Sequence, residues 1–311
     1  MKYRPVEIYE VGPRDGLQNE KVFFSTEQKL DLIARLVAAG IKRIEVASFA
    51  HPKVVPQMAD AEAVIAALPD IEGVQYAGLV LNKRGYLRAL ATRDGGKRGI
   101  DQVGSVCVMS ETFSQKNQGM SIAETIRDTT EVLKLAKRDG ISAHVTLSAA
   151  LGCPFEGDVP FSRIVDNAKR IAEAEPEEIS VADTFGAGVP NQVHDLIGQL
   201  REAIPDMKWR AHMHDTRNTG VANSWAAYEA GVGAIDASVA GLGGCPFAPR
   251  ATGNVATEDV AYTLDKSGVP TGLELNKLIE IAHWLESILG RPTLASVSQA
   301  GGFPTPAEAE S

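Results

Sequence analysis

Short runs of apolar and β-branched residues alternate along the chain with longer segments whose apolar residues recur at helical spacing. Each short run has the length of one strand, and their near-continuous apolar character is typical of strands buried on both faces. The predicted strands are 6–11, 43–48, 74–80, 102–109, 142–148, 178–183, 209–215 and 234–241.

The intervening segments carry the end signals of helices. Segments 25–28 and 121–124 each begin with serine and have Gln or Glu three residues later, which is the pattern of a capping box. Gly40 fits the C-terminal end of the first helix. A later helix is predicted from Asn191 to about Ala203, after Pro190.

Alternating strands and helices pair in parallel through right-handed crossovers, in either an open doubly wound sheet or a closed barrel. Eight units over about 240 residues match the usual size of a TIM (β/α)8 barrel. No G-x-G-x-x-G motif follows the first strand, as a dinucleotide-binding open sheet would require. The sequence therefore predicts an α/β fold with a single domain over residues 1–311: a TIM barrel over about 6–256 and a C-terminal helical extension over about 257–300.

Composition narrows the class of protein. The 311 residues are 44% apolar and 23% charged, as in a soluble globular protein, and no apolar run is long enough to cross a bilayer. The net charge of −9 and the scattered Lys and Arg argue against nucleic-acid and membrane binding. Three cysteines form no disulfide framework, and the chain passes from Met1 almost directly into the first strand without a signal segment. We therefore expect a cytoplasmic protein.

Polar residues that a core does not need fall at the C-terminal ends of the strands, where the active site of such a barrel lies. The seventh, eighth and first strands are neighbours in a closed barrel, so residues that follow them come together. Arg14 and Asp15 follow the first strand, Glu45 lies in the second, Asp183 ends the sixth, His212 and His214 lie on the seventh, and Cys245, Asn254 and Glu258 follow the eighth.

Four of these residues could bind a metal. His212 and His214 are two positions apart in a strand, so their side chains share a face. With Asp15 and Asn254 they offer two nitrogens and two oxygens, a set that suits Mg²⁺ or Mn²⁺, with Zn²⁺ as a further option. The alternative is a packed or hydrogen-bonded histidine pair, with Arg14 and Asp15 as an ion pair in a turn; the residues alone leave both open.

Two further residues have a functional and a structural reading. Glu45 in a strand interior is costly to bury unless paired, so we expect it to form hydrogen bonds near the mouth of the barrel. Cys245 by itself would fill a small space in a core, but Gly241, Gly243 and Gly244 beside it favour a mobile loop.

Taken together, these segments resemble the hydroxymethylglutaryl-CoA lyase family of metal-dependent TIM-barrel enzymes. The resemblance covers nearly the whole chain and is strongest in a glycine-rich segment around a cysteine. The segments are VGPRDGLQNEK (11–21), IEVASF (44–49), PKVVPQM (52–58), ALGCPFEG (150–157), ADTFGAGVP (182–190) and SVAGLGGCPFAPRATGNVATED (238–259).

The resemblance implies a role for each polar residue at the mouth. Arg14 would stabilise negative charge on the substrate carbonyl, and Cys245 would lie on a loop that closes over the substrate. The implied metal ligands are Asp15, His212, His214 and Asn254, and the implied active-site acids are Glu45, Asp183 and Glu258.

The implied reaction is a retro-Claisen (aldol-type) cleavage of 3-hydroxy-3-methylglutaryl-CoA to acetyl-CoA and acetoacetate, with Mg²⁺ or Mn²⁺ holding the substrate hydroxyl. Asp183 and His212 are alternatives for the base, and Cys245 or a water held by its loop for the proton donor. The residues that bind the CoA phosphates are open: Lys21, Lys53, Lys83 and Arg84 are either phosphate contacts or solvated surface charges.

The segments 50–54, 217–220 and 249–250 depart from the family pattern and leave the chemical residues intact. The alternative substrate is therefore citramalyl-CoA or another 3-hydroxy-3-methyl acyl-CoA. A condensing synthase and an inert metal-binding scaffold are further alternatives, and the presence of every chemical residue argues against the scaffold. The resemblance also implies a homodimer, with helices at 274–289 as the contact.

Overall fold

The computed structural model describes residues 3–244 and 253–304, and its strands form one closed parallel barrel in chain order. The predicted α/β barrel is confirmed. The strands are β1 (Glu7–Glu10), β2 (Arg43–Ser48), β3 (Gln75–Leu79), β4 (Gln102–Val108), β5 (Ser142–Ser148), β6 (Glu178–Asp183), β7 (Trp209–Met213) and β8 (Ala234–Ala237). The helices are α1 (Thr26–Ala38), α2 (Ala61–Ala67), α3 (Lys83–Ala91), α4 (Glu111–Gln118), α5 (Ile122–Asp139), α6 (Phe161–Ala172), α7 (Pro190–Ala203), α8 (Gly220–Ala230), α9 (Thr257–Lys266), α10 (Leu275–Leu289) and α11 (Ser296–Ala300).

The local signals that the sequence gives at helix ends are confirmed. Capping boxes open α1 at segment 25–28 and α5 at segment 121–124. Gly40 follows α1 with a φ of 100°, a conformation that side chains other than glycine rarely adopt. Helix α7 begins at Pro190, one residue earlier than predicted, because the fixed φ of proline suits the first turn of a helix.

Five strands, β1, β3, β4, β7 and β8, are shorter than predicted, and β7 and β8 end earliest, both at the mouth. Strand β7 ends at Met213 rather than at 215, and β8 ends at Ala237 rather than at 241. His214 instead forms an isolated bridge with Asn254, and a 3₁₀ turn, Val239–Gly241, follows β8. The extended residues beyond the two strands therefore pair with loops at the mouth and not with the barrel ladder.

The apolar core lies between the barrel and the helices around it. Leu32 and Leu36 of α1 and Ile44 of β2 are all fully buried. Burial of each such side chain contributes about 1.5–3 kcal/mol relative to exposure. Within the described ranges, no helix has both the length and the apolar character to cross a membrane.

The barrel interior, by contrast, is polar. Strands β2 and β6 lie on opposite sides of the barrel, so the 2.7 Å contact between Arg43 Nη2 and Glu178 Oε2 crosses its interior. Arg210 Nε lies 3.2 Å from Glu178 Oε2 and 3.1 Å from Asp236 Oδ1. Charges buried in this way are tolerated because each has an opposite charge beside it. The buried polar residues of the interior include Tyr9, Arg43, Glu45, Gln102, His144, Glu178, Ser180, Arg210 and Asp236.

Replacing Glu178 with Gln should strongly destabilise the fold. The substitution removes the negative charge that lies between Arg43 and Arg210, and breaking a buried pair costs about 3–5 kcal/mol of unfolding free energy. Urea denaturation at neutral pH measures the change. Glu177→Gln is the matched control, because the Glu177 carboxylate pairs with Lys208 at the surface and its loss should leave stability close to that of the wild type. Equal losses in the two variants would contradict the importance of the interior pairing.

Candidate metal centre

Three side chains with metal-binding groups meet at the mouth of the barrel. Nitrogens of His212 and His214 and an oxygen of Asp15 all lie within 4.8 Å of one another. The two histidine Nε2 atoms face each other at 3.1 Å. Strand β7 carries His212, and Asp15 lies in a π-helical turn, Gly12–Gly16, that directly follows β1. The structure thus brings together three of the four predicted ligands; their role as ligands stays a prediction.

The fourth predicted ligand, Asn254, joins the same cluster. Its Nδ2 donates to Asp15 Oδ2 at 2.8 Å, across 239 positions of sequence, and to the backbone oxygen of Leu242 at 3.1 Å. The bridge to His214 fixes the backbone of Asn254 beside β7. The neighbouring strands therefore converge here as the closed barrel requires.

The chemistry of the cluster fits a divalent cation. Burial lowers the pKa of His214, and with the charge of His212 it brings the pKa to about 3. Burial alone would raise the pKa of Asp15, but the charges of Arg14 and the two histidines lower it to about 2. At neutral pH, His214 is therefore neutral and Asp15 is ionised, which are the forms that bind metals. A mixed nitrogen and oxygen donor set suits Mg²⁺, Mn²⁺ or Zn²⁺.

Arg14 lies between two carboxylates at the edge of this cluster. Its Nη1 is 2.5 Å from Asp15 Oδ1, and its Nε donates to Glu45 Oε2 at 2.5 Å. Glu45 is 3% exposed, and burial raises the pKa of its carboxyl more than the charge of Arg14 lowers it. The hydrogen-bonding position expected for Glu45 is thus observed. The predicted ion pair between Arg14 and Asp15 is present, as is the contact between the two histidines, and metal binding by the same cluster stays a prediction.

Asp183 shapes the loop that follows β6. Its two carboxylate oxygens accept hydrogen bonds from the backbone N–H groups of Ala187 and Gly188, each at 2.9 Å. Burial raises the pKa of Asp183, and the nearby charges of Arg217 and His212 act in the opposite direction. The carboxylate is therefore fixed near His212 by the loop that it holds.

Glu258 is a buried carboxylate at the base of the mouth. Both of its oxygens accept from the backbone N–H of Ala240, at 3.1 and 3.0 Å. Ala240 has a φ of 64°, so the carboxylate stabilises a strained turn. Burial raises the pKa of Glu258 to about 8.

Sequence reasoning missed Glu10, the counterpart of Glu258 on β1. Glu10 accepts from the backbone N–H groups of Gly12 at 2.8 Å and Val239 at 3.0 Å, and from the Thr257 hydroxyl at 2.6 Å. Burial raises its pKa to about 7. A charged residue inside an apolar strand was the available signal.

Sequence reasoning also missed Asp236, which gives the same signal of a charged residue inside an apolar strand. It lies in β8 among apolar residues, is 3% exposed, and its Oδ2 is 2.9 Å from His212 Nδ1. Burial is the largest single influence on the pKa of His212 and lowers it. The hydrogen bond and charge of Asp236 outweigh burial, so the pKa of His212 is raised. Its position behind His212 could be found only once β7 and β8 were paired in register.

Three of the sequence predictions remain: Cys245, the segment 249–250 and the segment that contains Arg217. Cys245 and the segment 249–250 lie outside the described residues. Arg217, in one of the divergent segments, donates from Nη1 to the backbone oxygens of Phe185 at 2.9 Å and Gly186 at 2.8 Å. It therefore holds the loop after β6.

Comparison with known proteins gives close relatives over nearly the full length. The chain matches the HMGL-like protein family over residues 5–285. The (R)-citramalyl-CoA lyase of Chloroflexus aurantiacus is 40% identical over 306 residues, covering 95% of each chain. A hydroxymethylglutaryl-CoA lyase of Bacillus subtilis is 39% identical over 289 residues, 93% of this chain and 95% of the relative.

Solved structures share the same architecture. The crystal structure of the Bacillus subtilis HMG-CoA lyase superimposes with a TM-score of 0.90 at 38% identity, covering 96% of this chain and 98% of that one. An HMG-CoA lyase from Acinetobacter baumannii, in complex with coenzyme A and 3-methylmalate, has a TM-score of 0.89 at 33% identity, covering 97% and 98%. The likeness thus extends over the barrel and its surrounding helices.

Replacing Glu258 with Gln should change how stability depends on pH. The folded-state pKa of about 8 lies above the ordinary value of 4.5, so the protonated carboxyl stabilises the folded state fully below about 4.5. That contribution is lost as the pH rises through about 8. The free energy of unfolding of the wild type should therefore fall relative to that of Glu258→Gln between mildly acidic and mildly basic pH. Urea denaturation across that range measures the difference, and parallel curves would contradict the prediction.

Proposed function

The chain belongs to the HMGL-like family, and we propose that it is a metal-dependent carbon–carbon lyase that cleaves 3-hydroxy-3-methylglutaryl-CoA to acetyl-CoA and acetoacetate. The observation that carries this proposal is the placement of Arg14 directly beside the cluster of Asp15, His212 and His214. During cleavage the substrate would carry negative charge on two nearby oxygens, that of the C3 alkoxide and that of the enolate. A bound cation would stabilise the first, and the permanent charge of the guanidinium would stabilise the second.

The cleavage breaks the bond between C2 and C3 of the acyl chain. The C3 hydroxyl loses its proton, C3 becomes a ketone, and the electron pair passes to C2 as a thioester enolate, which is then protonated. A divalent cation, which we take to be Mg²⁺ or Mn²⁺, would act as a Lewis acid at the C3 hydroxyl when bound by Asp15, His212, His214 and Asn254.

Arg14 supplies the charge for the enolate. A guanidinium remains protonated at any physiological pH, and its planar group is oriented here by Glu45 on one side and Asp15 on the other. The orienting contacts are in place before the substrate binds, so little reorganisation is needed when negative charge develops on the thioester oxygen.

For the general base we favour Asp183 over His212. His212 Nε2 is directed at the cluster, where a metal would use its lone pair. Burial raises the pKa of Asp183, which brings a carboxylate closer to the range of an effective base. For the donor that protonates the enolate we keep Cys245, or a water held by its loop.

The CoA phosphates have a suitable site at the start of α3. Asn82 caps this helix by accepting from the backbone N–H of Gly85 at 3.0 Å, and no acidic residue lies in its first turn. A helix N-terminus favours phosphate groups, and Lys83 and Arg84 add positive charge there. Because Lys83 also pairs with Glu131 at 2.8 Å, Arg84 is our first choice for the phosphate contact.

The second candidate function is cleavage of citramalyl-CoA, which a relative at 40% identity favours. The same bond between C2 and C3 would break, giving acetyl-CoA and pyruvate. All the residues assigned above would keep their roles, so this alternative changes the substrate and not the chemistry.

We also propose that the enzyme is a cytoplasmic homodimer. Cys107 and Cys153 are buried free thiols, which suits a reducing compartment. Helix α10 buries Leu278, Ile281 and Leu285 within its own chain, so a contact through 274–289 would use its outward positions.

Release of acetyl-CoA should identify the substrate. We expect cleavage of 3-hydroxy-3-methylglutaryl-CoA with added Mg²⁺ or Mn²⁺, and loss of that activity with EDTA. A coupled assay for acetyl-CoA, run separately with citramalyl-CoA, measures both activities. Cleavage of citramalyl-CoA alone would move the assignment to the second candidate, and no metal-dependent cleavage of either thioester would contradict the proposal.

Replacing Arg14 with Gln should lower kcat by about 10²–10³-fold, because a preorganised donor to the developing oxyanion is lost. Steady-state kinetics with the cleaved thioester measure the change, and circular dichroism checks the fold. Arg127→Gln is the control: Arg127 is exposed on α5 and pairs only locally, with Asp128 at 3.0 Å. A kcat for Arg14→Gln as high as that of the control would show that Arg14 has no part in the chemical step.

A further inference from the structure

Asp236 is a buried carboxylate that the mechanism above does not use. It lies on β8 directly opposite His212 in the register with β7. Its Oδ2 is 2.9 Å from His212 Nδ1, and its Oδ1 is 3.1 Å from Arg210 Nε. The side chain is 3% exposed, so water does not compete for these contacts. Oδ2 therefore has a hydrogen-bond partner in His212, whereas Oδ1 has only the ion-pair contact with Arg210 and forms no hydrogen bond among the described residues.

We propose that Asp236 is a positioning residue for the metal centre, which holds His212 in the tautomer that can bind a cation. This inference rests on the proposed metal-dependent function. An ionised carboxylate only accepts hydrogen bonds, so the proton of a neutral His212 ring must lie on Nδ1. The lone pair then lies on Nε2, which is the atom 3.1 Å from His214 Nε2 in the cluster.

Arg210 holds Asp236 in this orientation. Its side chain is only 1% exposed, and it lies between Asp236 and Glu178. The guanidinium group also stacks over the ring of Tyr9, with its carbon 4.1 Å from the ring centroid. The charges of the two carboxylates and the face of the Tyr9 ring keep the guanidinium beside Asp236 Oδ1, so Oδ2 is left for His212.

The ion pairs thus form a row along the barrel interior that ends at the cluster. Arg43 contacts Glu178, Glu178 contacts Arg210, Arg210 contacts Asp236, and Asp236 contacts His212. A hydrogen-bond partner behind a metal-binding histidine fixes the ring orientation and strengthens the ligand, and its loss weakens metal binding. The ion pairs of the barrel interior then have a function, which is to hold the His212 ring in the orientation needed to bind a cation.

Asp236→Asn tests the proposal with little change in shape. The new amide can donate to His212 Nδ1, which favours the tautomer with its proton on Nε2 and removes the lone pair from the cluster. We expect the affinity of the metal-stripped, full-length protein for Mn²⁺ to fall by about 10- to 100-fold, measured by isothermal titration calorimetry. Circular dichroism and thermal unfolding of the stripped proteins show whether the variant is folded.

Ser180→Ala is the matched control. Ser180 is buried in the same interior layer, in register with Arg210, and its hydroxyl has no hydrogen-bond partner among the described residues. Its loss should leave Mn²⁺ affinity unchanged. As a measurement that needs no variant at position 236, ¹⁵N spectra of histidine side chains in the Mg²⁺-bound wild type should show the His212 proton on Nδ1.

The outcomes separate this inference from the function on which it rests. If the wild type binds Mn²⁺ and a folded Asp236→Asn binds it equally well, Asp236 has no positioning role and the metal centre stands. A His212 proton on Nε2 in the metal-bound wild type would overturn the inference as well. If the wild type binds no Mn²⁺, the metal centre itself is wrong and the inference is overturned with it.

Discussion

Buried charges inside the barrel are stable only while each lies beside an opposite charge. The guanidinium groups of Arg14 and Arg210 each lie between two carboxylates, and Arg43 faces Glu178 across the barrel. Together these contacts join three guanidinium groups to four carboxylates, Asp15, Glu45, Glu178 and Asp236. The surplus negative charge would favour a cation at the mouth, where Asp15 meets the histidines, so the pairing that makes a polar interior tolerable also suits the proposed metal centre.

A second set of carboxylates determines where the loops of the mouth begin. Glu10 and Glu258 accept backbone N–H groups from the turn that follows β8, and Glu10 also accepts the N–H of Gly12, at the start of the turn that carries Asp15. These carboxylates do not touch the cluster. They fix the backbone on both sides of it, so Asp15 and Asn254 reach the same place from opposite ends of the sequence.

The sequence was sufficient for the barrel and for the convergence of Asp15, His212, His214 and Asn254, because strand order in a closed barrel determines which strand ends are neighbours. It was not sufficient for Asp236, Arg210 or Arg43. A strand buried on both faces shows no alternation of apolar and polar residues, so the pattern does not say which side chains point into the barrel. Glu45 was identified as a residue that needs a partner, and the same reasoning applied to Asp236 would have predicted a charged interior. The early end of β7 was unpredictable for a related reason, because extended backbone pairs equally well with a loop. Strand β8 ends early because a 3₁₀ turn interrupts its apolar run.

The proposed metal centre by itself would not select between the two candidate substrates. Both have a tertiary hydroxyl on the carbon that becomes a ketone, and both lose the same acetyl-CoA enolate, so Arg14 and the cluster would act on each in the same way. They differ by one methylene between that carbon and the distal carboxylate, a difference worth about 1–3 kcal/mol in a fitted pocket. Selection must therefore come from the distance between the cluster and the group that receives the carboxylate. Arg217 lies in one of the segments that depart from the family pattern, and its Nη1 donates to the backbone oxygens of Phe185 and Gly186. Through these contacts it would affect selectivity by setting the position of the loop that Asp183 and Arg217 hold together.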